Sequence, residues 1–482
     1  MLFHDSSFII FLVWVVVIYY SFCNPLWQNT VILFSSILFI LNSGFSNLLV
    51  VSGVIFFTAS YFYFTNKYGR STKLTIVSIV LLTLNLLIFK YSGFLSEAVG
   101  IGRYDLKPTN WIIPLGISFY TFQIIGAIID FHAKRLSISP NRISLFTVFF
   151  PQIISGPIVK YRLLGTEFLT AHKFRSTNIH KGLYLFTVGY MKKVLIADPI
   201  GSAIDPVWSS PQNYSSLTLF IASVCFYIQV FADFSGYTDM GRGAARMLGF
   251  RLPINFRAPF FAKSLSEFWL RWHISLTLWI RTYCFNSLAM LVIRNSPIQF
   301  QKYMLFTATV FIMVIIGLWH GANWNFVLFG LFHGLGIVVW DAVGKGKAPK
   351  KIFSILLCIF LTQLFVIFSL IFFRSENAEH AFTIIFKIVQ FKNGINDDIL
   401  YIGLTVSLLL TLGFQVIENC IKYRKISNIL FFLRNTKIGL VVVVLFLFVS
   451  VALKGNIFSE EIEFFKYSFF DQENINFIYF EF

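Results

Sequence analysis

Residues 303–341 read YMLFTATVFIMVIIGLWHGANWNFVLFGLFHGLGIVVWD. Two apolar runs, 303–319 and 323–341, are parted only by the short break around His320, Gly321 and Ala322. From Tyr303 to Trp340 the segment holds no Asp, Glu, Lys or Arg. Each run is close to the roughly 20 residues a helix needs to cross the hydrocarbon core of a bilayer. The stretch therefore reads as two membrane-crossing helices with a histidine at their junction.

The same pattern recurs along the chain. Further crossings are expected near 7–22, 30–44, 48–65, 74–92, 111–130, 182–198, 215–232, 351–373, 398–419 and 438–454. The fold class is all-α: a polytopic membrane protein of about 11–12 crossings, with re-entrant and interfacial helices besides. Composition agrees. The 482 residues are 57% hydrophobic and 13% charged, about half the charged fraction of a soluble domain. So few charges cannot clothe a water-facing surface, so most of the surface must meet lipid. A single membrane domain over 1–482 is expected. Its first apolar run, Ser7 to Phe22, lacks a basic leader and a small-residue cleavage site and reads as a retained helix.

The net charge of +17 raises nucleic acid as a partner, but the distribution opposes it. Basic residues cluster between apolar runs, as Lys67/Arg70/Lys73, Lys134/Arg135/Arg142, Lys345/Lys347/Lys350/Lys351 and Lys422/Arg424/Lys425/Arg434/Lys437. Cytoplasmic loops of membrane proteins carry this bias. Loops at 66–73, 132–142, 342–351 and 420–437 then fall on the cytoplasmic side, and those at 93–110, 199–214 and 374–397 outside, with both termini outside. The bilayer is the expected partner, and no nucleic acid is. The five cysteines are scattered without CxxC spacing and read as small core residues, neither disulfides nor metal ligands.

Two stretches resist a simple crossing. Phe149 to Pro157 carries two prolines and a glycine in apolar surroundings. Non-helical backbone at membrane depth has to be buried or line a cavity, so a re-entrant segment is expected. Asp233 to Arg294 mixes Trp, Arg and His with apolar residues and reads as interfacial helices.

Ionisable groups inside a membrane are costly and are functional candidates. His320 ends the apolar run with Gly317 and Gly321 beside it, and a neutral imidazole suits a general base. A buried histidine that only bonds a neighbouring helix is the plainer reading. In Glu267-Phe-Trp-Leu-Arg-Trp-His-Ile-Ser-Leu276, a helix would align Trp269, Trp272, Leu276 and Trp279 on one face. There Arg271 could hold the phosphates of an acyl carrier, or equally a lipid headgroup. Asp233 and Asp239 beside a Gly-rich turn lack the His or Cys that would complete a metal set, and capping or salt-bridge roles suit them better. No metal site is expected.

Read in order, these pieces resemble a family. Phe149-Phe-Pro-Gln and Ser155-Gly-Pro-Ile-Val-Lys-Tyr161 are followed by Asp233-Phe-Ser-Gly-Tyr-Thr-Asp-Met240 and Arg246-Met-Leu-Gly-Phe-Arg-Leu-Pro253. Glu267-Phe-Trp, Arg271-Trp-His-Ile-Ser-Leu276, Leu318-Trp-His-Gly-Ala-Asn-Trp-Asn325 and Gly330-Leu-Phe-His-Gly334 come next. The chain resembles the membrane-bound O-acyltransferases (MBOATs), in the branch that includes the alginate O-acetylation protein, the peptidoglycan O-acetyltransferase and the teichoic acid D-alanyl transferase. The motif core spans about 110–340. One departure stands out: Thr282 occupies a position where that branch usually has Asp, and the Pro-Leu-Gly-Gly run that usually follows is missing.

The resemblance implies a ring of helices around a thin membrane floor crossed by a tunnel. It implies acyl transfer, with acetyl as the leading acyl group, to an exported cell-surface polysaccharide. D-alanyl transfer to teichoic acid is the alternative within the enzyme class. A transporter is the alternative outside it, disfavoured by the lack of two related halves. His320 is implied as the catalytic histidine and His273 as the second polar element, with Arg271, Trp272, Trp319 and Asn323 binding donor or acceptor. No bound cofactor is expected; the donor would be acetyl-CoA or another acyl thioester. An extracytoplasmic SGNH-type acyltransferase or esterase is the expected protein partner, and a bacterial cytoplasmic membrane the expected location. The segment 455–482 reads as an extracytoplasmic tail. Its run Asn476-Phe-Ile-Tyr-Phe-Glu-Phe482 either packs a loose end or offers Tyr479 as an acyl relay, the second reading resting on the resemblance.

Overall fold

The computed structural model describes residues 2–98, 114–134, 136–154, 156–344 and 351–397, and most of 401–415. The described residues are helical, without a named strand. Among the described residues, eight helices are long and apolar enough to cross a membrane. The described residues group into two compact units. One draws on Met1–Tyr190 and Tyr237–Ile254, the other on Met191–Gly236 and Asn255–Phe431.

The first unit begins with α1 (Ser6–Tyr20), α2 (Pro25–Asn42), α3 (Phe45–Tyr68) and α4 (Thr72–Ala98). Asn24 caps α2 with its side-chain oxygen, and Pro25 supplies the preset first turn. These helices turn long apolar side chains outward, Leu26 and Phe56 among the most exposed, as lipid-facing helices do. Then come α5 (Ile117–His132), α6 (Pro140–Val148), α7 (Phe150–Ile153), α8 (Tyr161–Leu164) and α9 (Ser176–Met191). The proline-containing stretch is broken as expected. The helix stops at Phe149, one short turn follows, and extended backbone leads to Tyr161. The described residues from Leu145 to Val159 are all buried, which meets the requirement that irregular backbone be covered by protein.

The second unit holds α10 (Asp198–Ser209), α12 (Leu265–Trp269), α13 (Ile274–Ile280), α14 (Asn286–Asn295), α15 (Ile298–His320), α16 (Trp324–Gly344), α17 (Ile352–Arg374) and α18 (Ala378–Val389). The chain between α9 and α10, Lys192–Ala197, is a π-helix. There Lys193, 1% exposed, bonds Asp198 at 2.7 Å and Asp233 at 2.8 Å. Asp239 pairs with Arg242 at 2.6 Å, so both aspartates have the salt-bridge role expected of them.

Two expectations need correction. The 32-residue α11 (Ser216–Met247) runs unbroken through the Asp233–Gly243 stretch that reads as a Gly-rich turn. Its glycines serve close approach instead. A Cβ on Gly243 would lie 2.6 Å from the Gly182 carbonyl oxygen of α9, and one on Gly241 2.3 Å from that of Pro151. Small residues let helices meet backbone to backbone in lipid. The interfacial reading of 233–294 also gives way over its second half. Helix α13, a π-turn at Arg281–Phe285 and α14 form one 22-residue helix, Ile274–Asn295, apolar enough to cross. The crossings expected near 438–454, and the tail, lie outside the described residues.

Candidate functional site

The site is built where α12, α13, α15, α16 and α17 of the second unit converge. Its backbone is set first. Ser264 caps α12 by accepting from the Glu267 amide at 3.0 Å, and the Glu267 carboxylate turns back to the Lys263 N–H at 2.9 Å. This is the Ser-x-x-Glu start of a helix. Helix α12 lasts only five residues, so Trp269, Trp272, Leu276 and Trp279 are not one helical stripe. The break falls at His273, whose φ of 42° is a left-handed conformation rare for a residue with a Cβ. Asn255 holds that turn. Its carbonyl oxygen accepts from Ile274 N–H at 2.9 Å, and its side-chain oxygen accepts from the amide and hydroxyl of Ser275 at 3.1 and 2.8 Å. Strain of this kind persists only where the surroundings over-determine it, and it clusters at functional positions.

The turn places the His273 ring fully buried against Phe234, centroids 4.7 Å apart, and 5.6 Å from the Trp319 ring. Trp319 also lies 4.9 Å from His320 in an edge-on contact. The two histidines implied by the resemblance thus both contact one indole. Burial pushes the His273 imidazole down to about 3, which keeps it neutral at physiological pH.

His320 is 5% exposed and ends α15, where the chain reverses into α16. Its ring meets Phe373 at 5.1 Å and Phe329 at 6.2 Å. The reversal needs glycine: a Cβ on Gly317 would sit 2.0 Å from the Phe326 carbonyl oxygen, and one on Gly321 2.0 Å from the Phe326 ring. His320 opens into a small cavity with about 20 Å³ of free space, walled by Trp269, Trp272, Phe329, His333, Leu370 and Phe373 among others. Trp272, stacked on Phe268 at 5.4 Å, is in that wall.

The remaining expected residues lie apart from the cavity. Arg271 bonds Glu267 through two nitrogens, at 2.7 and 3.0 Å, and donates to the carbonyl of Ala258 at 3.2 Å. Its guanidinium ties the 257–258 loop to α12. Asn323 donates to the Glu376 carbonyl at 3.1 Å, and Asn325 to that of Ser375 at 2.6 Å, so both pin the α15–α16 turn to the end of α17. Tyr479 lies outside the described residues. No group of three or more His, Cys, Asp or Glu that could hold a metal occurs among the described residues.

Sequence reasoning gave His333 no role. Its ring is fully buried, lines the same cavity as His320, and both its nitrogens are engaged. The signal was available: His320 and His333 are the only ionisable side chains between Tyr303 and Trp340.

The chain has relatives of known name. It is 34% identical to the probable alginate O-acetylase AlgI of Pseudomonas aeruginosa over 301 residues, 61% of this chain and 56% of that protein. It is 30% identical to the peptidoglycan O-acetyltransferase of Helicobacter pylori, over 62% of this chain and 61% of that protein. It is 29% identical to the teichoic acid D-alanyltransferase of Streptococcus thermophilus, over 49% of this chain and 59% of that one. The match thus spans a little over half the length of these relatives. The family model of the membrane-bound O-acyltransferases matches residues 32–377, which takes in His273, His320 and the cavity that His320 borders, and the chain belongs to that family, MBOAT.

Proposed function

We propose that this protein transfers an acetyl group from a thioester donor such as acetyl-CoA toward hydroxyl groups of an exported cell-surface polysaccharide, in a bacterial cytoplasmic membrane. The observation that carries the reading is His320 at the wall of a small cavity whose other walls are aromatic and aliphatic apart from His333. The relatives named for O-acetyl transfer point the same way.

In the step itself the acceptor hydroxyl oxygen attacks the thioester carbonyl carbon. The new C–O bond forms as the C–S bond breaks, and no atom is oxidised or reduced. His320 takes the hydroxyl proton and returns it to the departing sulfur, which leaves as a thiol. A positioned imidazole contributes about 10²–10⁴-fold to such a step. D-alanyl transfer fits less well. The D-alanyl group carries an ammonium, and among the described residues the cavity wall offers no carboxylate to pair with it; burying an unpaired charge is strongly unfavourable.

The acceptor of the first step is either the polymer or Tyr479, which would form an aryl ester and pass the acyl group to an extracytoplasmic SGNH-type partner. The full chain expressed in membranes, with O-acetyl groups on the exported polysaccharide as the readout, tests both. His320→Ala should reach the membrane at the normal level and lose acetylation by at least about a hundredfold. Near-normal acetylation would remove His320 from the chemistry. Tyr479→Phe deletes one oxygen; the relay requires it to be inactive, and full activity would leave direct transfer. Incorporation of D-alanine instead of acetyl would overturn the choice of acyl group.

A further inference from the structure

His333 is embedded in a directed chain of hydrogen bonds. Ser369 donates to the Val366 carbonyl at 2.8 Å, so its proton is spent. Its oxygen, 2.9 Å from His333 Nε2, is then the acceptor, and Nε2 carries the ring proton. Nδ1 is left as an acceptor, and the Trp269 indole N–H donates to it at 3.3 Å. The series Trp269, His333, Ser369, Val366 runs one way and ties α12 to α16 and α17. Aromatic faces close the ring in: Phe268 stacks at 6.2 Å, Phe329 lies at 4.6 Å and Phe365 at 5.5 Å. With both nitrogens committed, His333 cannot move a proton without breaking a buried bond.

What the clamp holds is a wall. Phe268, Trp269 and Trp272 come from α12 and the turn after it, and all three line the cavity that His320 also lines. With about 20 Å³ free, the cavity has room for one group the size of a water. That space suits the methyl end of an acetyl group and leaves little for another carbon. Helix α12 is only five residues long and cannot hold the wall by its own stiffness.

We propose that His333 is a positioning residue which, through Trp269, sets the size of the acyl group this enzyme accepts. The inference rests on the acetyl-transfer reading above. One methylene in an apolar pocket is commonly discriminated by about 10–200-fold, so the wild-type protein should prefer acetyl over propionyl by at least about tenfold. Loosening the wall should erode that preference and leave the catalytic imidazole in place.

The test uses the full chain in proteoliposomes with acetyl-CoA and propionyl-CoA as donors, reading kcat/KM for each. Trp269→Phe keeps an aromatic ring and removes the N–H. His333→Gln keeps a donor toward Ser369 and moves the remaining acceptor, the amide oxygen, off the Nδ1 position that Trp269 bonds. Each should bring the acetyl-to-propionyl ratio to within about threefold of unity, and the double variant should go no further, because both break the same bond. The pH profile of the reaction should not move in either. A ratio that stays at the wild-type value while both donors slow equally overturns the proposal and leaves His333 purely structural. A displaced pH limb in His333→Gln also overturns it, by making His333 a proton carrier. If His333→Gln does not accumulate in the membrane, Trp269→Phe decides by the same ratio. Failure of the wild-type protein to transfer either acyl group strikes instead at the acetyl-transfer reading, and the inference falls with it.

Discussion

His273 carries two costs at once, a left-handed backbone and a fully buried imidazole. The second has a measurable signature. Its folded-state pKa is pushed down to about 3 by burial, against an ordinary value near 6.5. Between those values the unfolded chain binds the proton that the folded chain refuses, so stability falls as pH drops through this window. The slope approaches 1.4 kcal/mol per pH unit, or about 2 kcal/mol between pH 6.5 and 5. Thermal unfolding in detergent at pH 7 and pH 5 should therefore show an acid loss that is smaller in His273→Gln, which has nothing to titrate. Equal acid losses in the two proteins would mean that His273 is charged or solvated in the fold. His320 and His273 illustrate what local sequence can reach at this scale: the residues stand out, but their common neighbour, Trp319, becomes visible only when α13 and α15 are side by side.

At the scale of elements, apolar runs predict most helices to within a few residues, because lipid allows nothing but satisfied backbone. Runs near 303–319, 323–341 and 351–373 became Ile298–His320, Trp324–Gly344 and Ile352–Arg374. Errors came where packing overrode local preference. Gly236, Gly241 and Gly243 suggest a turn, yet they sit within α11, where the missing side chains of Gly241 and Gly243 let the 150–153 turn and α9 approach. The α12–α13 break is invisible to periodicity, since it depends on Asn255, eighteen residues before His273. The same contrast yields a paired prediction. Gly317→Ala places a Cβ 2.0 Å from the Phe326 carbonyl, a backbone atom that cannot step aside, and should destabilise the α15–α16 hairpin by about 1–3 kcal/mol. Gly53→Ala, in α3, meets nothing within 4 Å and should instead stabilise by about 0.5–1 kcal/mol through helix propensity. Detergent melting temperatures of the two variants should move in opposite directions; a rise in both would show that the hairpin has slack, and a fall in both that Gly53 is held by contacts of its own.

For the whole molecule, orientation in the membrane follows from charge. The excess of 39 Lys and Arg over 22 Asp and Glu is concentrated in loops, and a positive loop favours the cytoplasmic side. Two of these loops support one another within the first unit. The Asn66 side chain donates to the Ile138 carbonyl at 2.9 Å, Arg70 donates to that of Leu136 at 3.3 Å, and the Arg70 guanidinium lies 4.4 Å from the Phe131 ring centre. The loops after α3 and after α5, each basic, therefore share one face of that unit, as they must if both are cytoplasmic. Two helices, α4 and the shorter apolar α5, separate them, and two crossings would return the chain to the same side. The crossing expected from the sequence near 182–198 would put the 199–214 segment on the opposite side. A single cysteine at Lys73, in a background with the five native cysteines replaced, should resist a membrane-impermeant thiol reagent added outside intact cells and react after permeabilisation. A cysteine at Ser209 should react before permeabilisation. Both positions are exposed on the protein, so silence from either reports the bilayer barrier and not burial. The reverse pattern would turn the molecule over and place the cationic loops outside. A thioester made in the cytoplasm would then meet the other face, and the direction of transfer proposed here would have to be inverted with it.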